Sequence, residues 1–217
     1  MHLHEFLRQV HEIVQPKVYL EIGVQYGTSL VLAEKANLAI GVDPQPLIGF
    51  TNNTRPNQGV FTMTSDDWFE KRWFTAPPIN LGFIDGLHLF EQALKDFMNM
   101  EQRMAPGGII IIDDVMPYSQ AIAEREQPPG DWTGDVWKVW YLLMTTRPDL
   151  ELLMVDTAPT GTLVVLNPKL NEAWLMDLEP PWLRHDDEVP LDILERRMAV
   201  SPQVALERIK DAVASRG

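Results

Sequence analysis

Five short apolar runs, separated by segments with helical spacing, constrain the fold of this chain more than any other feature. The runs are KVYLEIG (17–23), NLAIGVD (37–43), GVFTMTS (59–65), INLGFID (79–85) and GGIIIIDD (107–114). Helical patterns occupy 29–35, 67–73 and 90–104 between them. Strict alternation of strand and helix, with strands that are apolar on both faces, predicts a parallel sheet covered by helices on both sides.

The segments outside this alternation predict a helix at each end and a hairpin. Residues 3–14 have apolar residues at helical spacing, which indicates an amphipathic helix, and a final helix is predicted over 202–213. A further helix from 135 ends before Pro148, and LELLMVDTAPTGTLVVLNP (150–168) predicts two strands joined by a turn at the sheet edge. We expect a main domain over 1–167 and a helical appendage over 168–217, which begins with a proline-broken linker.

The charge balance limits the classes of partner. The chain has 18 Lys+Arg against 31 Asp+Glu, a net charge of −13. Nucleic acids and anionic membranes are therefore disfavoured, and a divalent cation would be attracted to any acidic cleft. The absence of cysteine from the sequence excludes disulfides and thiolate–zinc sites. With no signal peptide or membrane-spanning stretch in the sequence, we expect a cytoplasmic protein, for which a homodimer is left open.

A glycine turn in YLEIGVQYGTSL (19–30) follows the first predicted strand. Gly23 and Gly27 would let the backbone approach a ligand, but the turn lacks the G-x-G-x-x-G spacing of dinucleotide sites. Asp43 ends the second strand 20 residues after Gly23, where a carboxylate can accept both ribose hydroxyls of an adenosine. The alternatives are an ordinary strand-to-helix turn and an aspartate that caps the chain before Pro44.

Two acidic segments, FIDGLHLF (83–90) and IIDDV (111–115), end the fourth and fifth predicted strands. Because neighbouring parallel strands lie about 4.8 Å apart, we expect Asp85, Asp113 and Asp114 to meet in one crevice. Carboxylates at such short distances repel one another unless a cation is present. Oxygen ligands suit Mg²⁺, with Mn²⁺ or Ca²⁺ as alternatives. The sequence therefore predicts a metal site at this edge of the sheet.

In this order and at this spacing, the glycine turn, FIDGLHLFEQALKDF and APGGIIIIDDV resemble class I S-adenosylmethionine-dependent methyltransferases, over roughly residues 17–167. The closest resemblance is to the metal-dependent catechol-type and bacterial sugar O-methyltransferases. It implies a Rossmann-like fold with a mostly parallel seven-stranded sheet and an antiparallel edge strand. It also implies methyl transfer from S-adenosylmethionine to a hydroxyl oxygen of a small molecule, with a sugar or polyol expected before a phenol.

The resemblance also implies roles for individual residues. The metal would be held by Asp85, Asp113 and Asp114, and His88 would be the catalytic base in place of the lysine of catechol-type enzymes. Ser65 and Asp66 would contact the adenine, although either residue could equally cap the following helix. The implied cofactor-binding residues are Glu21, Gly23, Gln25, Ser29, Asp43, Ser65, Asp66 and Asp85.

Other functions remain open at this point. Proteins described as cephalosporin hydroxylases share the acidic strand ends, and a non-catalytic module could bind the cofactor without turning over an acceptor. Asp113–Asp114 could also be a capped strand end, and His88 could cap a helix or support a metal. Acceptor contacts are expected from loop 116–134, which is predicted to be a mobile lid because it has little to bury.

The remaining aromatic and histidine residues carry weaker predictions. Trp132, in the loop, could stack on a ring-shaped acceptor, whereas Trp137 and Trp140 have the spacing of core residues. His2, His4 and His11 decorate the N-terminal helix and His185 lies in the acidic linker. None of these four histidines has a companion at ligand spacing in the sequence.

Overall fold

The computed structural model describes residues 1–47, 56–72, 77–171 and 187–215. A seven-stranded sheet of order β3-β2-β1-β4-β5-β7-β6 forms its centre, so the predicted fold class is confirmed. All neighbouring pairs are parallel except β5–β7 and β6–β7, because β7 runs against its two neighbours. The strands are β1 Val18–Ile22, β2 Leu38–Asp43, β3 Gln58–Thr62, β4 Ile79–Ile84, β5 Met104–Ile112, β6 Glu151–Val155 and β7 Thr162–Leu166.

Helices cover both faces of this sheet. They are α1 Leu3–Val14, α2 Ser65–Arg72, α3 Phe90–Glu101, α4 Trp137–Thr146, α5 Leu191–Leu194 and α6 Pro202–Ala214. Helices α2 to α5 contribute to one apolar core, which contains Trp68, Phe97 and Trp140. Helices α1 and α6 contribute to a second core on the opposite face, with Phe6 and Leu206. Trp137 and Trp140 are buried, as their spacing predicts.

The first crossover differs from the sequence prediction. Instead of an α-helix over 29–35, the chain forms a single 3₁₀ turn at Leu30–Leu32. Helix α1 already covers this face of the sheet, and Leu30 and Ala33 are buried in the same core as α1. A long crossover helix is not needed to shield β1 and β2 there, which explains why the helical pattern ends after one turn.

Smaller shifts affect the boundary between α3 and β5 and that between β3 and α2. Helix α3 ends at Glu101 and Met104 already belongs to β5, whereas the sequence pattern extends the helix to Met104. Strand β3 ends at Thr62, so that Ser65 begins α2 and does not end the strand. The hairpin β6–β7 at the sheet edge forms as predicted.

The C-terminal helix α6 packs on α1 and contributes Ala205, Leu206 and Ile209 to their shared core. Ser201 caps its first turn by accepting a hydrogen bond from the Val204 N–H at 3.3 Å. Most of the predicted linker, with His185, lies outside the described residues. No helix of the described residues is long and apolar enough to cross a membrane.

Loop 116–134 buries more than its composition suggests. Met116, Ile122, Ala123 and Thr133 are buried, and a 3₁₀ turn forms at Ala121–Ala123. The premise that this loop has little to bury is therefore wrong, while its mobility stays a prediction.

Candidate active site

The glycine turn after β1 packs directly against the end of β4. Gly23 has φ +87°, and a Cβ atom at this position would lie 1.8 Å from the carbonyl oxygen of Asp85. The N–H of Gly23 donates to the carbonyl of Val42 at 2.9 Å, which ties the turn to β2 as well. The first position of the turn is therefore restricted to glycine both by its backbone angle and by its neighbour.

Glu21 lies beneath this turn and has no exposed surface. Its two carboxylate oxygens accept hydrogen bonds from the hydroxyls of Tyr19, at 2.7 Å, and Ser29, at 2.6 Å. Burial raises the pKa of Glu21 to about 8, although these two hydrogen bonds oppose the rise. Glu21 and Ser29 were both predicted to bind the cofactor, and the structure joins them to each other.

Asp43 organises the backbone of the same turn. Its Oδ2 accepts the N–H groups of Val24, at 2.9 Å, and Gln25, at 2.8 Å, while Oδ1 accepts that of Gln45 at 2.7 Å. Because an ionised carboxylate has about four acceptor sites, roughly one remains for a ligand. This geometry leaves room for one ribose hydroxyl, where the sequence predicts two. Gln25 itself is exposed, with φ +43°.

Ser65 and Asp66 lie at the start of α2, where they contact α3. The Oδ2 of Asp66 accepts from Nζ of Lys95 at 2.6 Å, and the Oγ of Ser65 accepts from Nε2 of Gln92 at 3.2 Å. Gln92 also donates to Asp96, which is buried beside Ser65. The predicted adenine contacts therefore share their polar atoms with an interhelical network.

The two acidic strand ends converge because β4 and β5 are adjacent and parallel. Ile84 pairs with Ile112, and the N–H of Asp113 donates to the carbonyl of Ile84 at 3.0 Å. Asp114 follows with φ +62°, in the left-handed region of backbone conformation. Its carboxylate contacts His88 and the Thr160 hydroxyl.

Three side chains meet in the resulting crevice: Asp85, His88 and Asp114. Nε2 of His88 lies 3.1 Å from Oδ2 of Asp114 and 3.5 Å from Oδ1 of Asp85. One potential metal-ligand atom from each residue lies within 4.8 Å of the others. The prediction that Asp85 and Asp114 come together is met, whereas Asp113 is not in this group and His88 is inside it instead of at its rim.

The loop after β5 contacts the other side of the His88 ring. Nδ1 of His88 lies 2.7 Å from the carbonyl oxygen of Trp132, and the two rings are in contact, with centroids 4.9 Å apart and planes tilted by 32°. The indole N–H of Trp132 donates to the carbonyl of Glu124 at 2.7 Å. One face of Trp132 is therefore occupied by His88, and stacking of the indole on an acceptor stays a prediction.

Charge couples these groups. Burial alone would lower the pKa of His88, but the hydrogen bond to Asp85 and the charges of Asp114 and Asp85 outweigh it and raise the pKa to about 9. Burial raises the pKa of Asp114 to about 6, while His88 opposes that shift. Burial and the charge of Asp114 also raise the pKa of Asp113. When His88 is protonated, the positive charge of its imidazolium offsets negative charge of the carboxylates in the crevice.

Two contacts at this edge were not foreseen from the sequence. The Thr160 hydroxyl, in the β6–β7 turn, hydrogen-bonds to Asp114. Nε2 of His4 lies 3.1 Å from Oγ1 of Thr28 in the glycine turn, and its ring stacks on that of His2 at 5.6 Å. The start of α1 reaches this edge because Leu3 N–H donates to the carbonyl of Ala158. No local pattern could have revealed contacts between such distant segments.

Comparison with known proteins agrees with this geometry. Residues 20–115 match a family described as a methyltransferase domain. The cofactor-bound Rv0187 from MTB is similar at 18% identity and a TM-score of 0.61, covering 77% of this chain and 80% of that one. An O-methyltransferase from Bacillus cereus in complex with SAH is 18% identical, with a TM-score of 0.57 and coverages of 75% and 80%.

A third solved structure is the O-methyltransferase TomG from Streptomyces achromogenes, in complex with SAM. It is 15% identical, with a TM-score of 0.60, and the match covers 76% of this chain and 78% of that one. A search of curated proteins gave no match. The domain match over residues 20–115 and the fold shared with these solved structures both agree with the resemblance to class I methyltransferases.

Proposed function

We propose that this protein transfers a methyl group from S-adenosylmethionine to a hydroxyl oxygen of a small molecule, with the help of a divalent cation. The observation that carries the proposal is the grouping of Asp85, His88 and Asp114 beside the glycine turn of a methyltransferase fold. Such a group combines cation ligands and a proton acceptor at the edge where ligands bind in α/β sheets.

The cofactor would be held by the turn between Gly23 and Ser29, one ribose hydroxyl by Asp43, and the adenine by the surroundings of Ser65 and Asp66. The turn fits a cofactor without phosphates, because its amides at Val24 and Gln25 already donate to Asp43. When bound, S-adenosylmethionine supplies a methyl group on a positively charged sulfur. The protein's own part is to fix this turn from below through Glu21.

A hard divalent cation fits the donor set of the crevice. Asp85 and Asp114 each present a carboxylate oxygen within 4.8 Å of the other, and repulsion between them favours a shared cation. When bound, Mg²⁺ would act as a Lewis acid that lowers the pKa of an acceptor hydroxyl. Asp114 is held for this role by Thr160, and Asp85 by its backbone bond to Ile22.

His88 would receive the proton of the acceptor hydroxyl. Its Nε2 faces the crevice, while Nδ1 faces the Trp132 carbonyl, so only Nε2 can serve an acceptor bound over the carboxylates. The neutral ring is the form that acts as a base. Because the ring proton on Nε2 and a divalent cation neutralise the same two carboxylates, we expect the two to compete for this crevice.

The charges around the crevice favour a neutral or cationic acceptor over a phosphorylated one. Asp131 adds negative charge near Asp114, and its exposed carboxylate accepts a hydrogen bond from the Tyr118 hydroxyl at 2.9 Å. The nearby Arg125 is already paired with Glu91 and Asp135. A sugar or other polyol is therefore our first choice of acceptor, and a phenol the second.

The experiment that tests the proposal is a screen of hydroxyl compounds with isotopically labelled S-adenosylmethionine, with and without EDTA. We expect cofactor binding by calorimetry and labelled product that depends on Mg²⁺ or Mn²⁺. Binding without any product would indicate a non-catalytic module. Metal analysis after purification with added iron covers the oxidative alternative, since bound iron and cofactor-independent oxidation of an acceptor would contradict methyl transfer.

A further inference from the structure

The loop that carries Trp132 touches His88 at three points. Nδ1 of His88 lies 2.7 Å from the Trp132 carbonyl oxygen, and the indole contacts the imidazole at a tilt of 32°. Gly134, with φ +52°, passes so close that a Cβ atom would lie 1.7 Å from the carbonyl oxygen of His88. The loop therefore contacts both the ring and the backbone of this one residue.

The contact at Nδ1 determines where the ring carries a proton. A backbone carbonyl oxygen can only accept a hydrogen bond, so Nδ1 of His88 must be the donor. When the ring is neutral, its single proton is then on Nδ1 and the lone pair is on Nε2. Nε2 is the atom that faces Asp85 and Asp114, at 3.5 and 3.1 Å.

The Trp132 carbonyl is itself held in place by its neighbours. The indole N–H of Trp132 donates to the Glu124 carbonyl at 2.7 Å, and the N–H of Thr133 donates to the Ile122 carbonyl at 2.8 Å. Asp135, just beyond the loop, accepts the N–H of Phe90 at the start of α3, two residues after His88. Two hydrogen bonds therefore join this part of the chain to the His88 segment, one at the Trp132 carbonyl and one at Asp135.

We infer that Trp132 is a positioning residue, whose carbonyl and ring hold His88 with its proton on Nδ1 and present Nε2 to the crevice. The consequence rests on the proposed function: displacement of loop 116–134 would remove the partner of Nδ1 and release the ring. The loop would then couple closure over the acceptor to the alignment of the base, in addition to excluding water.

Nuclear magnetic resonance of protein labelled with ¹⁵N-histidine tests the contact without any acceptor. A ring N–H held in a hydrogen bond exchanges slowly enough with water to give a cross-peak, whereas an exposed one does not. We expect one such signal to disappear in His88→Gln, which assigns it to His88. The signal should persist in wild-type protein with and without S-adenosylmethionine.

Two glycines of the same stretch give a matched pair of variants. Gly134→Ala would force its Cβ against the His88 carbonyl, and should abolish the His88 signal. Gly130 also has a positive φ, +98°, but its Cβ would meet nothing within 4 Å, so Gly130→Ala should keep the signal. Equal spectra for the two variants would overturn the inference.

A second pair of variants guards against misfolding of Gly134→Ala. Trp132→Ala removes both the stacked ring and the indole bond to Glu124, and should abolish the signal. Trp132→Phe keeps a ring against His88 and should restore it. A His88 signal that survives in folded Trp132→Ala would overturn the role of the indole ring, because the backbone carbonyl at position 132 would then hold Nδ1 without it.

Activity then separates positioning from the function itself. With an acceptor identified, Gly134→Ala should lower kcat about tenfold or more with an unchanged KM for the cofactor, because general base catalysis contributes at least that much. Gly130→Ala should match the wild type. If the spectra behave as expected but no hydroxyl compound is methylated, the proposed function is wrong while the positioning of the ring by Trp132 stands.

Discussion

The glycine turn after β1 and the crevice after β4 and β5 contain similar residues but use them differently. In the turn, Asp43 accepts three backbone N–H groups, and Glu21 accepts two hydroxyls. In the crevice, Asp85 and Asp114 face the imidazole of His88 and each other. The acids of the turn are mostly satisfied by backbone N–H groups and hydroxyls, whereas those of the crevice have the imidazole of His88 as a shared partner.

This difference separates two reasons for a polar residue at a strand end. A carboxylate whose acceptor sites are filled by backbone amides holds the chain in shape and has little capacity left for a ligand. Carboxylates that converge without amide partners cost free energy unless a proton or metal neutralises them. We therefore expect substitutions in the crevice to affect chemistry, and those in the turn to affect stability first.

The largest effect is expected for Asp114→Asn. Asparagine tolerates the left-handed backbone at this position, so the fold should survive, but the charge that would hold a cation is lost. We expect kcat to fall about a thousandfold with cofactor affinity unchanged, measured by initial rates and calorimetry. Asp113→Asn is the matched control, since Asp113 lies outside the group of three. An equal loss in both variants would restore Asp113 to the metal site.

Asp43→Ala should mainly lower stability. It removes a charged acceptor from the N–H groups of Val24, Gln25 and Gln45, and hydrogen bonds to charged groups contribute about 1.5–3 kcal/mol each without full additivity. We expect the free energy of unfolding, from urea titration, to fall by about 3 kcal/mol, together with weaker cofactor binding. Asp67→Ala, which removes a surface carboxylate of α2 paired with Lys71, should lower stability much less than Asp43→Ala. Weaker cofactor binding at unchanged stability would contradict the structural role.

The order of the secondary elements was predictable because apolar runs and helical spacing are local patterns. The convergence of Asp85 with Asp114 was also predictable, since it follows from adjacent parallel strands. The choice between Asp113 and Asp114 was not, because it depends on the backbone conformation where β5 ends, including the φ of +62° at Asp114. A sequence gives no direct sign of such an angle at an aspartate.

Other details depended on packing between distant segments. The 3₁₀ turn at Leu30–Leu32 reflects the coverage of that face by α1, and Thr160 reaches Asp114 through the β6–β7 turn. The use of Asp43 by the amides at Val24 and Gln25 depends on how the glycine turn bends toward β2. Residue types and spacing identified the right edge of the sheet, while backbone geometry decided which oxygens remain free there.

Glu21→Gln tests whether a neutral side chain can replace Glu21 as the hydrogen-bond partner of the Tyr19 and Ser29 hydroxyls. The folded-state pKa of Glu21, about 8, lies above its ordinary value of 4.5, so its contribution to stability is full below about pH 4.5 and is lost as pH rises toward 8. We expect the variant to gain about 3 kcal/mol relative to wild type between about pH 5 and pH 8, measured by denaturant titration.

Glu12→Gln, at an exposed position of α1, is the control for the effect of a Glu-to-Gln change by itself and should leave the free energy of unfolding close to that of the wild type. Cofactor affinity of Glu21→Gln should be nearly unchanged, because both carboxyl oxygens already accept hydroxyls of Tyr19 and Ser29. A large loss of affinity without the pH-dependent gain would instead place Glu21 among the groups that contact the cofactor directly.

The smallest effect is expected for Arg125→Gln, which loosens the loop over the crevice. Arg125 donates to both carboxylate oxygens of Glu91, at 2.5 and 3.0 Å, and to Asp135 at 2.7 Å. Asp135 would keep Lys138 and the N–H of Phe90 as partners, so the loss should be only about 1 kcal/mol. Hydrogen exchange of amides in 116–134 should then accelerate about fivefold, while that of α6 stays constant.

Arg197→Gln is the control for this prediction. Arg197 pairs with the exposed residues Asp192 and Glu195, and all three are remote in sequence from loop 116–134. Its exchange over 116–134 should match the wild type. Unchanged exchange in Arg125→Gln would mean that the contacts of Trp132 and Asp135 hold the loop without the arginine. Protection that increases only when cofactor and acceptor are both present would support a lid, and would extend the contrast between a rigid turn and a crevice that must open.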